Sequence, residues 1–266
     1  MREAMALIRA RWLTIASYRM QTVFSFFGLL VSVVPIYFVS RALQPMMASS
    51  IQNQGGQYFA FVVLGLVSYA FINTATSALH TAFSSDISNG SLEAVLATPI
   101  SIPALLGGMF GQAFLWTVLR TSMVLIGAAV LGAEIVWSRG LIALLVLSLT
   151  VLPYVALGII LAALVLAFRS TGPLPTAITA ASMLLGGVYY PASAIPSWLA
   201  YAAKAVPLTY GLRALRRTFL DGAPLSAIAG DLAVLCGFSI VLFAAALLAF
   251  SMAWTFARKA GTLAQY

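Results

Sequence analysis

Residues Gly140 to Phe168 read GLIALLVLSLTVLPYVALGIILAALVLAF, 29 residues between Arg139 and Arg169 without one charged side chain. As a helix rising 1.5 Å per residue, such a run is about 43 Å long, more than the roughly 30 Å hydrocarbon core of a bilayer. Its apolar residues are continuous rather than alternating with a period of two, which excludes a strand of a membrane β-barrel. The run is a membrane-spanning helix.

The rest of the chain agrees. Of 266 residues, 62% are hydrophobic and 8% charged, against about 45–50% and about 25% in soluble domains. Twenty charged side chains (14 basic, 6 acidic) cannot cover the water-exposed surface of a protein this size. Mean hydropathy is +1.02. The fold class is an all-α polytopic membrane protein with six transmembrane helices, at about 20–41, 58–82, 103–132, 140–168, 173–190 and 231–257. An even number of spans puts both termini on one side. The net charge of +8 is read as attraction to anionic lipid, so no nucleic-acid partner is expected. Cys236 is the sole cysteine and His80 the sole histidine. No intrachain disulfide is possible, and no metal site is expected.

Residues 1–19 do not resemble a cleavable signal peptide, because the apolar run that follows is too long and lacks a clear cleavage site. Met5, Ile8, Trp12 and Ile15 fall within an arc of roughly 80° at 100° per residue, with Arg2 and Arg9 on one flank and Arg11 on the other. This is an amphipathic interface helix whose arginines favour the anionic cytoplasmic leaflet. With that end inside, cytoplasmic cations are Arg2, Arg9, Arg11, Arg19, Arg169, Arg258 and Lys259; external ones are Arg41, Arg139, Lys204, Arg213, Arg216 and Arg217. Seven against six is a narrow margin, but the first span, with four arginines before it and one after, points the same way. The expected location is the cell inner (plasma) membrane, multi-pass, with both termini, including the tail 258–266, in the cytoplasm.

Two connections stand out. Between the second and third spans, Asn89-Gly90 breaks the preceding helix, Ser91 can cap a new one, and Pro99 ends it. Leu92, Val95 and Leu96 share one face, so 86–99 reads as a short amphipathic helix on the membrane surface. Between the fifth and sixth spans, Gly186-Gly187 ends a helix early, and Pro191, Pro196 and Pro207 punctuate Tyr189, Tyr190, Trp198 and Tyr201. Backbone without its own hydrogen bonds cannot face lipid. The segment 187–207 is therefore expected to re-enter as short helices packed on protein, the plain alternative being an aromatic belt with a turn.

Absent chemistry narrows the function. No G-x-x-x-x-G-K-[ST] loop can form, since the two lysines, Lys204 and Lys259, follow Ala203 and Arg258. There is no G-x-S-x-G elbow and no H-E-x-x-H pair. The six acids (Glu3, Asp86, Glu93, Glu134, Asp221 and Asp231) fall outside the expected spans or at their ends, which argues against ion-coupled carriers and intramembrane aspartyl proteases. Arg120 is the one charge within a span. If its helix starts near Ala104 it lies roughly 24 Å along, just past the midpoint. Burial there costs at least about 2.5 kcal/mol, so Arg120 is expected to face protein or a wet cavity, as a candidate pathway residue, unless it snorkels to the outer interface.

Two blocks of residues resemble a family. Gly90-Ser91-Leu92-Glu93, followed by Leu96, Thr98, Pro99 and Ile100, is similar to the "GTLE–LL–TPL" segment of membrane-spanning permease subunits of type-2 ABC exporters, the group of daunorubicin-export and nodulation-factor-export permeases. Gly187-Val188-Tyr189-Tyr190-Pro191, Ile195-Pro196, Trp198-Leu199 and Pro207-Leu208-Thr209-Tyr210 with Leu215-Arg216 resemble the family's "SGVFFP–LP–WL–NPLTY–LR" block, with Val206 where the family usually has Asn. The resemblance implies that 86–99 is a coupling helix seated on a separate ATP-binding-cassette ATPase subunit, through Ser91, Leu92, Glu93, Val95, Leu96, Thr98 and Pro99. It implies that Gly187, Tyr190, Pro191, Pro196 and Trp198 belong to an external gate, and that the pathway lies between this chain and a second permease copy, identical or paralogous. The implied partners are thus the ATPase, the second copy and membrane lipids. No cofactor is expected in this chain, ATP and Mg²⁺ being bound by the ATPase. The implied function is a non-catalytic transport subunit exporting an amphipathic drug, lipid or lipid-linked glycan. The alternatives are an ATP-independent secondary carrier or channel, with only Arg120 to couple it, and an intramembrane enzyme, for which no nucleophile–base pair is visible.

Overall fold

The computed structural model describes residues 19–88, 102–168, 171–191 and 196–259. The expected interface helix before Arg19, the core of the expected coupling helix (89–99) and the tail beyond Lys259 lie outside the described residues. Every regular element among the described residues is helical: α1 (Arg19–Met47), α2 (Tyr58–Ser88), α3 (Ile102–Val130), α4 (Gly140–Phe168), α5 (Leu174–Leu185), α6 (Ser197–Lys204), α7 (Pro207–Phe219) and α8 (Leu225–Lys259), with short 3-10 turns before α2 and α4.

Helix α2 is the axis of the bundle. Within its span 72% of residues are buried, against 17% for α3 and 17% for α8, so the latter two are peripheral. On one side α4 lies close because Gly158 carries no side chain; a Cβ there would overlap the Ala75 carbonyl of α2. On another side α3 is joined to α2 by Thr74 Oγ1 and Thr117 Oγ1, 2.7 Å apart. Around these, Val63, Val67, Phe71, Val151, Tyr154 and Leu212 form one continuous apolar core. Helix α1 packs on α2 with the Tyr37 ring edge-on to Phe59, centroids 5.2 Å apart. At the Tyr58 end of the bundle, two glutamines tie the loops. Gln44 donates to Gly56 O (2.7 Å) and accepts from Tyr58 N (2.7 Å). Gln57 donates to Gly132 O (2.8 Å) and accepts from Glu134 N (2.8 Å). Each amide satisfies orphan backbone groups at a helix end, which otherwise cost free energy when removed from water.

Among the described residues, four helices are long and apolar enough to cross a membrane: α2 over Tyr58–Ala82, α3 over Phe110–Val130, α4 with its preceding turn over Trp137–Phe168, and α8 over Leu225–Ala253. Helix α1, with 29 residues, has the length as well. Two expectations are corrected. The fifth span, read at 173–190, is a helix of 12 residues, about 18 Å long and too short to cross a 30 Å core by itself. The last helix starts at Leu225 rather than 231. Asp231 consequently sits inside it, buried, where Arg213 Nε of α7 donates to both carboxylate oxygens at 3.1 Å. That pairing is what lets an acid stand within the apolar stretch instead of ending it.

Candidate functional site: the broken helix and a buried arginine

Pro173 and Pro175 start α5, where missing N–H groups cost nothing. Its end is a turn. Gly186 N bonds Ser182 O at 2.8 Å, and Gly187 takes φ +75°, a left-handed conformation that a side chain disfavours. The chain then bends across the Tyr58 end of α2. Tyr58 donates its hydroxyl to Tyr189 O at 2.8 Å, the Tyr190 hydroxyl donates back to Leu184 O, and Pro191 is buried. Of the residues expected at an external gate, Gly187, Tyr190 and Pro191 lie in this one turn. Pro196 opens α6, an exposed helix whose Trp198 and Tyr201 are 74% and 75% accessible. The first turn of α7 closes α6: Thr209 Oγ1 donates to Ala203 O (2.8 Å) and Tyr210 to Lys204 O (3.1 Å).

The centre of this region is Arg216, 2% exposed. Its Nη1 donates to Gly187 O at 2.9 Å, and its Nη2 to Val188 O at 3.0 Å and to Phe61 O at 3.2 Å. The guanidinium carbon lies 3.3 Å from the centroid of the Phe61 ring. Nε has no hydrogen-bond partner, and no carboxylate bonds the group among the described residues. Burial lowers the guanidinium to about 9, so it stays charged at neutral pH, balanced by the carbonyl dipoles of Gly187, Val188 and Phe61 and by the aromatic face. Gly65 makes room: a Cβ there would overlap the Val188 carbonyl and stand 2.9 Å from Arg216 Nη2. One cation thereby fixes the turn after α5, the first turns of α2 and the body of α7 against one another.

The sequence puts Arg216 among the interface cations and within a motif, but assigns it no role. A signal is nonetheless present. Leu208, Leu212, Leu215 and Arg216 stand at i, i+4, i+7 and i+8, so Arg216 shares the apolar edge of α7, while Arg217 falls on the opposite side. Arg120 is elsewhere, on α3 and away from the turn. Its side chain is exposed, with its guanidinium carbon 5.2 Å from the centroid of the Trp116 ring. The coupling residues Ser91, Leu92, Glu93, Val95, Leu96, Thr98 and Pro99 lie outside the described residues. Among those described, no cluster of three or more His, Cys, Asp or Glu could hold a metal. An apolar cavity of about 280 Å³ opens between α2, α3, α4 and α7, walled by residues such as Val67, Phe114, Leu147 and Phe219.

A bundle of apolar helices long enough to cross a membrane belongs to an integral membrane protein. Residues 2–220 match the family model for the ABC-2 type transporter, and the chain belongs to that family. Among curated proteins it is similar to Nodulation protein J of Rhizobium meliloti (strain 1021), 24% identical over 193 residues, covering 71% of this chain and 72% of the relative. Nodulation protein J of Rhizobium leguminosarum bv. viciae is 26% identical over 190 residues, 71% of this chain and 73% of the relative. The chain is an exporter-type permease subunit, as the resemblance in its two motif blocks implied.

Proposed function

We propose that this chain is the non-catalytic permease of an ATP-driven exporter in the inner membrane, both termini cytoplasmic, with a separate ATPase and a second permease copy. The reading rests above all on the family match from residue 2 to 220, which takes in both motif blocks. In it, α1 and α5 with its re-entrant continuation complete a six-span plan, and 86–99 seats on the ATPase. The turn 187–191 with α6 and α7 forms the outer gate, held by Arg216. The cargo is an amphipathic drug, lipid or lipid-linked glycan moving between the two copies.

The coupling assignment is the most direct test. A solvated surface helix tolerates polar substitutions within about 0.5 kcal/mol, whereas losing a buried interface contact can cost about 2 kcal/mol or more. Leu92→Asp with Leu96→Asp is expected to leave expression and detergent stability near wild type while abolishing co-purification of the co-expressed ATPase. Undiminished recovery of the ATPase, with transport intact, would remove the coupling role from 86–99.

A further inference from the structure

Arg120 stands at the centre of the α3 span, ten residues from Phe110 and ten from Val130, about 15 Å from either end. Snorkelling serves cations near helix ends. Here the guanidinium leans over Trp116, one turn back along the helix and away from Val130, the nearer end of α3. Asn73 of α2 is exposed as well, inside the Tyr58–Ala82 span. Its backbone carbonyl accepts from Ser77, but its side-chain amide bonds no described residue. The Thr74–Thr117 hydroxyl bond sets the two helices in register. Counting from it, Asn73 lies about 1.5 Å and Arg120 about 4.5 Å toward the Tyr58 end, so the two stand at nearly one depth.

A cation at that depth needs an opposite charge, backbone carbonyls or water, and among the described residues no hydrogen bond or ion pair reaches Arg120, only the ring of Trp116. The one acid inside a candidate span is Asp231, which Arg213 already holds. The spans of a second copy therefore bring no free carboxylate to Arg120. One turn on from Arg120 along the same face of α3, Val124 is apolar and partly exposed. The ring of Trp116 supports one face of the guanidinium and leaves the donors on its rim free for a planar or tetrahedral oxyanion.

We propose that Arg120 and Asn73 form the polar half of a mid-membrane site for an anionic amphiphile, a hydrocarbon chain with a phosphate or carboxylate head. Arg120 supplies charge-assisted donors, Asn73 adds a neutral amide, and the tail lies along the apolar surface of α3. This rests on the permease reading and names the class of cargo or lateral ligand it would take.

Binding is measured on the full chain alone, in phosphatidylcholine nanodiscs, with radiolabelled lysophosphatidic acid, dodecanoate and lysophosphatidylcholine. Wild type is expected to retain the two anionic probes at least tenfold over empty nanodiscs, and the zwitterionic one near background. Arg120→Gln and Arg120→Leu should lose that retention, Arg120→Lys should keep most of it, and Asn73→Leu should lower it severalfold. Arg139→Leu, at the start of α4, should leave it unchanged. Retention of phosphate alone would narrow the head group within the proposal. Equal retention of all three probes, or full retention by Arg120→Gln, would overturn it. So would loss of assembly with a different permease subunit in Arg120→Gln without any change in lipid binding, since a partner's carboxylate would then be the anion. No ATPase enters the assay, so ATPase co-purification reports separately on the permease reading.

Discussion

Arg216 and Arg120 are the same residue in two parts of one bundle, and the structure treats them oppositely. Arg216 lies in the amphipathic α7 and is wholly enclosed, bonded to three carbonyls from α2 and the turn after α5. Arg120 lies in an apolar span and is left exposed over one indole ring. Local hydropathy would assign them the other way round. What separates them is enclosure: a buried cation bonded on several sides holds structure together, whereas a cation the fold leaves open awaits something from outside it.

The comparison predicts a wide gap in stability, and substitutions at four positions test it in descending order of effect. Arg216→Leu strands the Gly187 and Val188 carbonyls and removes a second donor from Phe61 O. At about 1–3 kcal/mol for each stranded carbonyl, it is expected to lower the thermal midpoint in detergent by the equivalent of about 2–6 kcal/mol. Arg216→Lys should recover part of the loss. A Leu variant melting with wild type would erase the distinction between the two arginines. Gly65→Ala comes next, since its methyl must displace the Val188 carbonyl; overpacking of this kind costs about 1–3 kcal/mol. Normal stability in that variant would mean the turn is free to shift. Thr74→Val removes the α2–α3 hydroxyl bond and should cost about 0.6 kcal/mol, the usual worth of an interhelical hydrogen bond in a membrane, read by the same melting experiment. Arg120→Leu should change the midpoint least, within about 0.5 kcal/mol. Its insertion should improve, because a mid-span charge costs about 2.5 kcal/mol or more. A large destabilisation by Arg120→Leu would show it to be a structural clasp like Arg216.

Much of the architecture is legible in the sequence because a bilayer punishes polar backbone and charge so heavily. The charge-free run Gly140 to Phe168 coincides with α4, and the Gly-Pro punctuation after Leu185 marks where α5 stops and short helices begin. The length of α5 is harder to read. Tyr189 and Tyr190 look like the continuation of an apolar span, and only the left-handed Gly187 with the bonds of Tyr58 and Tyr190 turns them aside. Asp231 misleads for a related reason. A lone acid normally bounds a span, and its partner Arg213 stands 18 residues earlier, on another helix. The burial of Arg216 is readable from the face it shares with Leu208 and Leu212, but its carbonyl partners come from segments 28 to 155 residues distant, a separation no local pattern reports.

The choice of carbonyls as partners for Arg216 carries an environmental consequence. An arginine clasped by a carboxylate is released when acid protonates its partner, as pH falls through the ordinary range of Asp and Glu. Carbonyl oxygens have no such protonation step in that range. Burial lowers the guanidinium to about 9, well above that range, so it stays charged throughout it. The clasp on the turn after α5 should thus hold unchanged in acidic surroundings, as the outer gate proposed above would require.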